Sequence, residues 1–138
     1  MTTRLEDRDA IREVLHRYCF YMDEGRFTEL AALFAEDGEW IAPYRTAKGP
    51  AEIAAWLQES VPSHPRRVHY VMNTVIDCEG ARATARSNYL VMVEGANGPF
   101  PSVCGTYDDV LAKQPGGWRF QRRRLIHAFK GEMALRLP

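Results

Sequence analysis

The apolar positions of this chain change period once, near Pro65. Ile11, Val14, Leu15, Tyr18 and Met22 fall on one helical stripe. The spacing predicts a helix over residues 9–24, stopped by Gly25. FTELAALFA, residues 27–35, predicts a second short helix with Leu30, Leu33 and Phe34 inward. Asp37-Gly38 predicts a turn into a short strand at 39–42, and a hairpin-like connection covers 44–49. Pro50 opens a third helix with Ile53, Trp56 and Leu57 on its buried face. Four β-type runs follow Pro65, at about 66–78, 81–94, 102–113 and 118–129. Glu79-Gly80, Gly95–Pro101 and Gln114–Gly117 break them. Loops this short predict sequential antiparallel neighbours. The expectation is one α+β domain over residues 1–138, helices first and then a long meander.

In the first long run, strict alternation puts His69, Val71, Asn73 and Val75 on one face and Tyr70, Met72, Thr74 and Ile76 on the other. Both faces are rather apolar, so the sheet needs covering twice. Helices can cover one side; a pocket or another subunit covers the other. A homodimer or homotrimer is therefore expected.

Charge narrows the partners. Eighteen basic and eighteen acidic residues cancel, so no whole-protein field attracts nucleic acid or an anionic membrane. The basic run Arg119, Arg122, Arg123 and Arg124 lies in a strand-like stretch and reads as a wet sheet face plus one or two inward guanidiniums. The opening MTTRLEDRDA has no apolar core and does not read as a signal peptide. No run approaches the roughly 18 apolar residues of a membrane span. Cys19, Cys78 and Cys104 are odd in number and form no CxxC pair. They read as reduced, half-buried thiols in a cytoplasmic protein. No HxH, HExxH, Walker loop, GxSxG elbow or post-strand GxGxxG occurs, so no metal or nucleotide site is expected.

The candidate chemistry sits in RYCFYMDEGRF, residues 17–27, and RVHYVMNTVID, residues 67–77. Asp23 ends the first helix, where the macrodipole disfavours an anion by up to about 1 kcal/mol. It reads either as an exposed or turn-bonding acid or as a functional one. His69 reads either as a core histidine satisfied by one hydrogen bond or, with a carboxylate partner, as a base. Asn73 shares its expected face and can donate or accept a hydrogen bond. Tyr18, Tyr21, Trp40, Tyr89 and Tyr107 are aromatics with polar tips. Each reads as core with its polar atom satisfied, or as the wall of a pocket for a flat, apolar substrate. Arg124 and His127 lie near the end of the last run, within reach of such a pocket.

The order Tyr-x(4)-Asp-x-Gly, LAALFAEDGEW, KGPAEIAAWL, RVHYVMNTVID, GTYDDVL and GGWRFQRRR resembles the nuclear transport factor 2-like superfamily, in its SnoaL-like branch. The likeness runs from about Leu5 to Phe129. It implies a cone: a curved antiparallel sheet wrapped around a pocket that N-terminal helices close. It also implies a cofactor-free lyase of the dehydratase type, acting on a small apolar, ring-containing carbonyl or hydroxy compound. The alternatives are a ketosteroid-isomerase-like isomerase or polyketide cyclase with Asp23 alone as base, and a non-catalytic small-molecule binder. In the eliminating members an acid at the end of the first helix pairs with a histidine on the first long strand; Asp23 and His69 match these positions. Tyr18 resembles the tyrosine that accompanies the pair in bile-acid dehydratase. With Tyr107 and Asn73 it is the implied stabiliser of a developing oxyanion or leaving group. Met22 stands where scytalone dehydratase has a tyrosine, so that role is unfilled.

Overall fold

Helix α1 (Arg4–Asp23) starts earlier than the apolar stripe implies. Its start is set by polar chemistry, a capping box in which Thr3 accepts from the Glu6 N–H and Glu6 accepts from the Thr3 N–H. The rest of the architecture runs α2 (Phe27–Ala31), β1 (Phe34–Ala42), β2 (Arg45–Lys48), α3 (Gly49–Ser60), β3 (Arg67–Glu79), β4 (Arg82–Gly95), β5 (Gly98–Gln114) and β6 (Gly117–Lys130). The computed structural model describes residues 2–130.

The strands form one six-stranded sheet in the order β2-β1-β6-β5-β4-β3. From β6 to β3 the meander is antiparallel, as the short turns predict. The β1–β6 pair is parallel, so the sheet is mixed rather than wholly antiparallel. Helix α1 touches β3 at one edge and also β6, three strands away. Three strand spacings come to about 14 Å, more than the width of one helix, so the sheet curls around it. Helix α3 packs on β1, β2 and α2. This is the nuclear transport factor 2-like, or cystatin-like, α+β fold, with helices filling the concave side of an open curved sheet.

Three expected elements differ. The second helix ends at Ala31, and Phe34 already belongs to β1. Asp37-Gly38 is not a turn between elements; it lies inside β1, at an irregularity of register between Phe34 and Glu39. A Cβ on Gly38 would stand 2.6 Å from the Phe120 carbonyl oxygen, so the strands approach there closely enough to need glycine. Between β4 and β5 the loop is tighter than Gly95–Pro101 suggests: Gly95 pairs with Gly98, and Pro99 and Pro101 are within β5.

Bulges reset which residues face inward. In β3 the register shifts between Val71 and Thr74, leaving Met72 and Asn73 both exposed and turning Thr74, Ile76 and Cys78 inward. In β6 it shifts opposite Val110 and Leu111, so that Phe120 and then Arg123 point into the core. The outer face keeps exposed apolar side chains, among them Tyr70, Met72 and Val75 on β3 and Ile126 and Phe129 on β6. No helix among the described residues is long and apolar enough to cross a membrane.

Candidate functional site

Asp23 is the last residue of α1, and His69 stands on the inward parity of β3. The fold closes the 46-residue separation between them. Asp23 Oδ1 lies 2.5 Å from His69 Nδ1, and the His69 backbone N–H donates to both carboxylate oxygens, at 3.1 and 2.9 Å. The backbone donor offsets the unfavourable helix C-terminus and fixes the carboxylate in place. A carboxylate accepts, so Nδ1 is the nitrogen that donates in this contact. Nε2 is then the nitrogen left to act as base. The two side chains are 12% and 17% exposed, His69 and Asp23 respectively, enough shelter to strengthen the contact without sealing it.

His69 lines a cavity of about 700 Å³ between the helices and the concave sheet. Tyr18, Trp40, Tyr89, Tyr107 and His127 line it too, as expected from the sequence. Asp23 stands behind its partner and lines a second, adjoining depression of about 560 Å³. The two cavities share Met22, Val61 and Arg67 as walls.

The tyrosines are arranged as donors. Trp40 Nε1 donates to Tyr18 Oη at 2.9 Å. An indole N–H cannot accept, so the Tyr18 O–H keeps its own proton to donate elsewhere. Tyr89 and Tyr107 stack at 4.1 Å between centroids with planes 7° apart. Burial pushes Tyr18 up to about 12 and holds Tyr89 and Tyr107 above the usual phenol range, so all three stay protonated near neutral pH.

Behind these rings lies a buried charge pair whose arginine is the inward guanidinium expected of the arginine run. Arg123 is completely buried and donates from Nε and Nη2 to both Asp109 oxygens, at 2.9 and 2.8 Å. Its guanidinium carbon sits 4.2 Å from the Tyr18 ring centre, 3.9 Å from Tyr107 and 4.4 Å from Phe120. The cation lies over the ring faces, where the quadrupole is negative. Burial pushes the Asp109 carboxyl up, and the adjacent guanidinium pulls it back. Burial works against the charge on Arg123, and Coulombic attraction to Asp109 together with the hydrogen bonds it donates to that carboxylate keep it charged.

Three expected site residues lie elsewhere. Asn73 is exposed on the outside, beside Val75 and Arg86, because the β3 bulge reverses its parity. Arg124 is exposed; the β6 bulge gives the inward position to Arg123. Tyr21 lies on the outer side of α1, where Arg17 donates to its hydroxyl at 3.4 Å and Arg26 covers its ring. The turn of the helix that brings Tyr18 and Met22 inward rotates Tyr21 away. Arg67, Tyr44 and Trp56 also line the cavity, although they are not among the site residues expected from the sequence. Parity with His69 was the available signal for Arg67. For Arg123 the signal was Asp109, which alternates with Tyr107 and Leu111 and so needs an inward cation. The three cysteines are free, with Cys19 and Cys78 buried and Cys104 half-buried. Among the described residues no group of three or more His, Cys, Asp or Glu could hold a metal ion.

The SnoaL-like domain family matches residues 3–124. An uncharacterised protein of Mycobacterium tuberculosis is 29% identical over 135 residues, covering 94% of this chain and 90% of its own length. A solved nuclear transport factor 2-like protein with a cystatin-like fold from Novosphingobium aromaticivorans superposes with a TM-score of 0.85 at 29% identity, covering 93% of this chain and 86% of its own. A proposed scytalone dehydratase from the same organism gives 0.79 at 29% identity, covering 91% and 86%. This chain belongs to the SnoaL-like domain family.

Proposed function

We propose that this protein is a cofactor-independent lyase of the dehydratase type, acting on a small, ring-containing hydroxy carbonyl compound. One observation carries the reading: a carboxylate-bound histidine in the wall of an aromatic cavity. His69 Nε2 takes a proton from the carbon beside the carbonyl. Asp23 stabilises the imidazolium that forms. The Tyr18 O–H donates to the oxygen that gains charge, with Tyr107 beside it. The imidazolium then returns its proton to the departing hydroxyl, so the substrate loses one water and the enzyme regains its starting state. Similarity to a proposed scytalone dehydratase supports this class. Against Asp23 acting alone, as an isomerase or cyclase base would, stands its place behind His69 rather than on the larger cavity.

The test is turnover of β-hydroxy ketones on aromatic or alicyclic rings, followed by loss of water. His69→Gln should lower the rate by roughly 10²–10⁴-fold. Asp23→Asn should lower it too, and the double variant should be little worse than His69→Gln, because both residues serve one proton transfer. A crippled Asp23→Asn beside a nearly unaffected His69→Gln would transfer the role of base to Asp23 and the reaction class to isomerisation. Wild-type rates in both variants would mean that neither residue is the base, and no turnover by the wild type would leave a binding protein.

The three free thiols suit a cytoplasmic setting. The exposed apolar side chains on the outer faces of β3 and β6 support a homodimer or homotrimer. Light scattering at micromolar concentration should give two or three times the chain mass; a monomer would contradict this.

A further inference from the structure

Aromatic side chains dominate the larger cavity, but its fixed charge is of one sign. No aspartate or glutamate lines it; the cationic and basic groups are the Arg67 guanidinium and the His69 and His127 imidazoles. We propose that the cavity takes a ligand whose apolar ring carries a carboxylate, and that Arg67 receives that carboxylate beside His69. The inference rests on the lyase reading for the reaction, and adds the charge of the substrate.

Arg67 is half-buried, and its side chain makes no hydrogen bond or ion pair among the described residues. A partly desolvated guanidinium with its donors unused favours an anion. The carboxylates nearest in the adjoining depression are already engaged: Asp23 by His69 and Glu24 by Arg26 at 3.1 Å. Neither is available to neutralise Arg67. Two phenols of the wall can donate as well. Tyr18 has accepted from Trp40 and keeps its O–H, and the buried Tyr89 hydroxyl has no partner.

Register supplies the distance. Arg67 and His69 are two residues apart on one face of β3, paired with Val93 and Val91 of β4. Two residues of strand span roughly 7 Å. A carboxylate held in the planar fork of Arg67 therefore sets a carbon about one ring-width away against the imidazole. That separation fits a ring bearing the acid on one side and the abstracted proton on the other.

The experiment titrates two probes of the same shape, 2-naphthoate and 2-naphthamide, against the intact chain, reading quenching of tryptophan emission. Wild type should bind naphthoate about tenfold tighter or more, the range of one charge-assisted hydrogen-bonded pair. Arg67→Gln should abolish the preference and leave naphthamide affinity unchanged, while Arg67→Lys should restore part of it. Equal affinities in wild type, a preference that survives Arg67→Gln, or binding of neither probe would overturn the proposal. The same titration on His69→Gln separates the two readings. If naphthoate is still preferred there while no hydroxy carbonyl compound turns over in wild type, the carboxylate site stands and the lyase reading falls. Turnover of a neutral substrate at a rate untouched by Arg67→Gln would do the reverse.

Discussion

Two acid–base pairs meet within this small fold, and they differ in what burial permits. Asp23 and His69 meet at a cavity wall, slightly open to solvent, and one member is an imidazole, a ring that can both accept and return a proton. Asp109 and Arg123 meet in the closed core, and Arg123 does not give up its proton. The first pair can cycle through protonation states. The second can only stand still, and its use is to hold β5 against β6 and to set a cation under the Tyr18 and Tyr107 rings. A carboxylate paired with an imidazole at the wall suits the proposed proton transfer, and one paired with a guanidinium in the core suits only architecture.

The sharpest contrast is expected in stability. Asp109→Ala leaves Arg123 charged and unpaired in the core and should destabilise by about 3–5 kcal/mol in urea unfolding. Asp23→Asn should cost no more than about 1.5 kcal/mol, because the amide oxygen still accepts from the His69 backbone. If the two losses are equal, the division between a working pair and a structural one is wrong. Joint replacement, Asp109→Leu with Arg123→Met, should recover most of the first loss, since it is the orphaned charge that is costly.

A middle-sized effect probes the rings between the pairs. Tyr18→Phe strands the buried Trp40 N–H and should cost about 1–3 kcal/mol. It also removes one donor from the cavity without touching the dyad. A variant that keeps full stability would mean that Trp40 finds another acceptor.

The smallest effect lies at a third acid, Asp7, where α1 is fastened to the β5–β6 hairpin. Lys113, Thr2 and Trp118 all donate to its carboxylate and hold it down at about 2, from an ordinary 3.8. Because folding lowers this value, the stabilisation is complete above pH 3.8 and is lost as pH falls through about 2. Asp7→Asn should therefore flatten the pH dependence of stability in that window and lower stability near pH 7, where the contribution of the ionised carboxylate is complete. An unchanged acid slope would count against this anchor.

The helical stripe from Ile11 to Met22, the four β runs and the partnership of Asp23 with His69 were legible in the sequence, since each rests on local period or on motif. The capped start of α1 is legible as well, in Thr3-x-x-Glu6, a polar signal that the apolar stripe does not carry. Parity beyond a bulge was not legible. Alternation from His69 names Asn73 as an inward neighbour, and a bulge puts Thr74 there instead. Alternation along the arginine run favours no member until the β6 bulge selects Arg123 over Arg124.

A sequence fixes side-chain period over the few residues that share one backbone conformation. It does not announce where two strands approach so closely that one must slip. At Gly105 a Cβ would stand 1.9 Å from the Ile126 carbonyl oxygen, beside the register break between Cys104 and Gly105. Such contacts join residues far apart in the chain, so only the tertiary structure decides which face of each strand meets the cavity. The chain itself determined that an acid, a histidine and a set of phenols were available. The curl of the sheet around α1 decided which of them share a wall.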